Sequence, residues 1–179
     1  MDEQAVHEEM GRARAEFRRF LDGADVAELR GPSNGTRWNN RQLLFHMLLG
    51  YLVVRVLLGL VRVVDRLPAW VSRGFAELLN AVTVPFDWVN YAGARLAGTV
   101  VPLGWMVALF DWVVAALDRR LDRETDADLA RGMHYPTQWD PFFQDYMTLA
   151  DVYRFPTQHF DFHARQLTLE HRGRSGAGG

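Results

Sequence analysis

The chain has 179 residues, 49% of them hydrophobic and 23% charged, with a net charge of −2. That suffices for one domain with a sizeable core and gives no general reason to expect a nucleic-acid partner. Lysine, isoleucine and cysteine are absent, which excludes Schiff-base lysines, cysteine nucleophiles and cysteine-type zinc sites and leaves His, Asp and Glu as metal ligands.

Met1-Asp2-Glu3-Gln4 lacks the positive start of a secretory signal, so a cytoplasmic location is expected. Glu3 to about Leu21 fits an amphipathic helix, with Val6, Met10, Ala13, Phe17 and Phe20/Leu21 at helical spacing. Asp22–Arg37, containing Gly31-Pro32-Ser33-Asn34-Gly35, reads as a loop, and its Asn34-Gly35-Thr36 sequon reads as a turn. From about Asn39 to Leu67 a long helix fits, stopped before Pro68. At about 100° per residue, Arg55 lies about 180° and Arg62 about 160° from His46, so His46 points away from the arginine stripe and towards the interior. Gly50, one turn along the same face, either leaves room for an ion or ligand beside the imidazole or lets a neighbouring helix pack closely.

Residues 69–98 are apolar and aromatic, and Pro85 is expected to divide them into two short helices or a helix and a crossover. Pro102 and Gly104 introduce a helix from about Trp105 to Arg123, with Met106, Phe110, Val113, Val114, Leu117 and Leu121 as its core face. Asp111, Asp118 and Asp122 share another face, read as a solvated stripe rather than a metal cluster. Residues 124–146 form a long connection rich in aromatics, of the kind that often carries function. The last helix runs from near Thr148 to Glu170 with a kink at Pro156. Residues 1–171 form one domain, 172–179 a disordered tail, and no strand alternation is evident. Leu43–Val64 and Leu96–Leu117 are long and apolar enough to make a membrane the main rival to a soluble bundle. Against insertion, the first carries His46, Arg55 and Arg62, and a central Arg costs about 2.5–3.5 kcal/mol; the second carries only Asp111.

His159 and His163 stand four apart on the last helix, so their imidazoles lie side by side on its apolar face with Gln166, while Arg154, Asp161 and Arg165 lie opposite, towards solvent. Buried imidazoles need partners for both ring nitrogens, and a metal supplies one. An inward His46 on a second helix makes three converging ligands. Hydrogen-bonded core histidines are the alternative. His7, His134 and His171 have no such support, although His134 in the aromatic connection can line a substrate pocket.

Trp38, the polar residues after it and Leu43-Leu44-Phe45-His46 resemble the entry to the second helix of DinB-like proteins, and His159-x-x-x-His163-x-x-Gln166-Leu167 resembles their final metal-binding helix. The resemblance implies an all-α four-helix bundle with up-down-down-up connectivity, plus an extra apolar helical segment near 69–98 that matches no branch. It also implies one divalent ion, zinc or nickel, on His46, His159 and His163, and transfer of a low-molecular-weight thiol such as mycothiol to an electrophilic small molecule. Trp38, Gly50, His134, Trp139 and Gln166 are the expected substrate-binding residues. A metal-dependent hydrolase and a non-catalytic, membrane-associated bundle remain alternatives, and excess apolar surface suggests a homodimer.

Overall fold

The computed structural model describes residues 2–170; His171 and the expected 172–179 tail lie outside the described residues. Several helices begin at a capping signal in their own sequence. Helix α1 (Glu3–Gly23) starts where the Asp2 carboxylate accepts the Ala5 N–H, and it buries the six positions read from its periodicity. The stretch expected to be loop holds a short helix, α2 (Val26–Arg30), because Asp25 and Glu28 form a reciprocal capping box that turn residues alone did not reveal. Asn39 and Gln42 make the same box for α3 (Asn40–Val64).

The apolar insert is two helices, α4 (Ala69–Ala81) and α5 (Thr83–Val100). They break at Val82 rather than Pro85: Pro85 sits in the first turn of α5, where a backbone N–H has no helical partner to lose. Helix α6 (Leu103–Leu121) buries the six predicted core residues. A one-turn helix, α7 (Asp126–Leu129), follows, and strands β1 (Gly132–His134) and β2 (Tyr146–Thr148) pair antiparallel, with Met133 opposite Met147. Three-residue strands are too short for alternation to register in the sequence. Helix α8 (Leu149–Ala164) is capped by Thr148 and Asp151, contains Pro156, and ends before Gln166.

Contacts between helices set their directions. His7 of α1 meets Asp118 and Asp122 of α6 while Arg14 and Arg18 meet Asp111, so α1 and α6 run antiparallel. Arg41 donates to the Val101 carbonyl, Arg55 lies over Trp112 and Arg62 pairs with Glu124, so α3 and α6 run parallel. Tyr51 meets Thr157 and Asn40 meets Thr168, so α8 runs opposite to α3. The bundle of α1, α3, α6 and α8 is therefore up-down-down-up. Of the aspartates expected to form a solvated stripe, Asp122 is exposed as expected, whereas Asp111 and Asp118 are partly buried partners of α1, and Asp161, expected to face solvent, takes both terminal nitrogens of Arg12.

Phe17 and Phe110 stack at 4.2 Å in the core, and Tyr51 lies edge-on to Phe110 at 4.8 Å. Each such fully buried ring contributes about 1.5–3 kcal/mol of transfer free energy. Helix α3 has the length and hydropathy of a membrane span, yet it packs against α5, α6 and α8 here. Leu96–Leu117 is no continuous helix, because the chain turns at Val101 and Pro102.

Candidate metal centre

Antiparallel packing of α3 on α8 brings His46 opposite the His159–His163 turn. Ring centroids lie 4.9 Å apart for His46 and His159, 4.8 Å for His46 and His163, and 4.5 Å for His159 and His163. One nitrogen from each ring lies within 4.8 Å of the others. Zn–N bonds near 2.1 Å require about 3.4 Å between tetrahedral ligands, a contraction within reach of side-chain rotation.

Gly50 explains how α8 comes so close. A Cβ there would stand 2.9 Å from His159 Nδ1 and 3.2 Å from its Cε1, so only glycine lets the imidazole lie against α3. The two readings of Gly50 merge: close helix packing is what seats the ring. Neighbouring side chains then fix the other rings. Trp38 stacks on His46 at 4.5 Å while its indole N–H donates to the Tyr91 carbonyl of α5. Asn90, also on α5, lies beside the His46 ring and lines the same cavity. His163 Nδ1–H donates to Gln166 Oε1 at 2.7 Å, which leaves Nε2 as the ring's available lone pair.

The buried Nδ1 atoms of His46 and His159 have no hydrogen-bond partner, a costly state for a polar atom. All three imidazoles are held neutral. Burial, helped by repulsion from His163, lowers the His46 pKa to about 3. Burial with two neighbouring imidazoles puts His159 well below the usual range, and burial lowers His163 against the opposing Gln166 hydrogen bond. Neutral nitrogens without partners, converging from two helices, form a donor set that fits one borderline divalent ion.

A cavity of about 120 Å³, partly open to solvent, extends from His46 and His159. One wall is α3, through Leu49, Val53, Leu57 and Leu60; the insert supplies the facing wall through Phe75, Leu79 and Phe86. The aromatic connection closes it: Trp139 stacks on Phe86 at 3.6 Å and donates its indole N–H to the Leu79 carbonyl. Asp140 Oδ2 lies 3.7 Å from His159 Nε2, and burial raises the Asp140 pKa to about 6 against the Phe142 N–H that its other oxygen accepts.

The sequence-predicted residues therefore divide. Trp38, Gly50, Trp139 and Gln166 surround the histidines or their cavity. His134 does not: Met133 and Tyr135 face the cavity, and strand alternation turns His134 away, to Asp145 at 3.2 Å and Tyr146. Sequence reasoning missed Asp140 and Asn90; the one available signal was a carboxylate set among aromatics and proline in Trp139-Asp140-Pro141-Phe142.

The class defined here is an all-α four-helix bundle with three inward histidines on its second and last long helices, close enough together to hold a metal ion. The family model described as the DinB superfamily matches residues 9–167, and the chain belongs to that family. No curated protein and no solved structure matches it.

Proposed function

We propose that the chain is a metal-dependent enzyme that transfers a low-molecular-weight thiol to an electrophilic, partly apolar small molecule. The carrying observation is the trio of neutral imidazoles, two with unpartnered buried nitrogens, beside a largely apolar cavity. His46, His159 and His163 would hold one divalent ion, zinc or nickel; when bound, such an ion supplies Lewis acidity and lowers the pKa of a thiol or water entering its open position. Trp38, Asn90 and Gln166 keep the rings oriented, and the largely apolar walls hold the electrophile. An external thiol makes the absence of cysteine no obstacle.

Asp140 favours a second reading, metal-dependent hydrolysis, because its half-buried carboxyl beside His159 is placed to take a proton from water. Added thiol separates the two. With cobalt in place of the native ion, transfer predicts a sulfur-to-metal charge-transfer band on thiol addition and turnover dependent on both thiol and His159. Unaided hydrolytic turnover with no spectral response to thiol would overturn the transfer reading. Exposed Trp70, Trp88 and Trp105 support self-association as a homodimer, which light scattering tests.

A further inference from the structure

We propose that the cavity takes a substrate carrying one long, unbranched apolar chain, with its reactive head at the histidines and its tail along α3. The inference rests on the metal-site reading above for the position of the head, and on the cavity alone for the tail.

The cavity is amphiphilic along its length. Polar groups gather at one end: Asn90 touches His46, and Asp140 lies beside His159. From there the α3 wall consists of Leu49, Val53, Leu57 and Leu60, which continue the stripe begun by His46 and Gly50 at spacings of three and four residues. At 1.5 Å per residue, His46 to Leu60 spans roughly 21 Å. The facing wall, Phe75, Leu79 and Phe86, belongs to the α4–α5 insert. The insert thus has a function the bundle does not otherwise need: it covers part of a stripe that would lie open to water, leaving Val53 exposed, and makes a partly open channel of it. A compact ring system would fill only part of such a channel, whereas an extended chain covers the whole stripe.

Tyr135 is a second, independent pointer to a ligand. Its side chain lines the cavity, the residue is 2% exposed, and its hydroxyl has no hydrogen-bond partner. Burying a hydroxyl unpaired is costly, and a ligand oxygen within the channel would relieve that cost.

The test uses straight-chain alkyl hydroxamates, hexyl to hexadecyl, on the metal-loaded protein, and straight-chain alcohols of the same lengths on the metal-free protein, with tryptophan fluorescence and calorimetry as readouts. Affinity should rise about fourfold per added methylene in both series, then level off once the chain outruns Leu60. Leu57→Trp should bring that plateau to shorter chains while leaving the shortest probes unchanged; Leu60→Phe, a smaller change further from the histidines, serves if Leu57→Trp does not fold. A flat length dependence in both series, or fused-ring probes of equal hydrophobicity binding as tightly as the chains, would overturn the inference and leave the metal site standing. Length dependence with alcohols, together with hydroxamates that bind no better than alcohols and protein that takes up no metal, would instead sink the metal reading and keep the channel.

Discussion

Gly50→Ala probes the contact that seats His159. In an open helix interior, replacing glycine by alanine gains about 1 kcal/mol. At Gly50 the new methyl would stand 2.9 Å from Nδ1 and 3.2 Å from Cε1 of an imidazole hemmed in by His46, His163 and Phe155, well inside the 3.5–4.0 Å of ordinary contact. Overpacking of this kind costs about 1–3 kcal/mol, so the variant should be about 0–2 kcal/mol less stable. Displacing the ring should also weaken metal binding at least tenfold, about 1.4 kcal/mol. Gly59 is the control: it lies in the same helix, and a methyl group added there would meet nothing within 4 Å, so Gly59→Ala should gain up to about 1 kcal/mol and keep full metal affinity. Thermal unfolding of the metal-free variants and competition with a chromophoric chelator measure both quantities. If Gly50→Ala gains stability and holds metal like Gly59→Ala, glycine is not what seats His159.

Tyr135→Phe removes a buried hydroxyl without a partner, so urea unfolding of the empty protein should find the variant as stable as the parent or more so; a loss above about 1 kcal/mol would mean that the hydroxyl is paired after all. Metal-free protein should lose stability on acidification. The unfolded histidines take up protons near pH 6.5, whereas folded His46 resists until about 3 and His159 and His163 are lowered too. Stability from these groups is therefore complete above about pH 6.5 and falls towards pH 3, with His46 alone costing on the order of 2 kcal/mol by pH 5. Asp140, raised to about 6, works the other way over roughly pH 4–6, one group against three. Urea midpoints that stay level from pH 7 to 5 would contradict the neutral trio.

Much of this architecture was legible in periodicity. The buried faces of α1 and α6 and the inward turn of His46 follow from residues recurring every three or four positions. Local chemistry that ignores periodicity was harder to read. The α2 capping box hid in a segment dominated by turn residues, and Pro85 looked like a break because proline's tolerance in a first turn depends on where the helix starts. Ion pairs such as Arg12 with Asp161 join residues remote in sequence, so a single helix wheel assigns both to solvent. Three histidines were legible because two share one turn and the third is an isolated imidazole on an apolar face. Asp140 and Asn90 reach the site through a loop and an insert whose placement only tertiary packing determines.

The central claim, a three-histidine metal centre, is tested most directly by metal analysis of purified protein and its histidine variants. The parent should carry one divalent ion per chain, His46→Ala, His159→Ala and His163→Ala should lose most of it, and His7→Ala, His134→Ala and His171→Ala should retain it. Equal metal content in all six variants, or a parent that binds no ion when offered zinc or nickel, would contradict that claim.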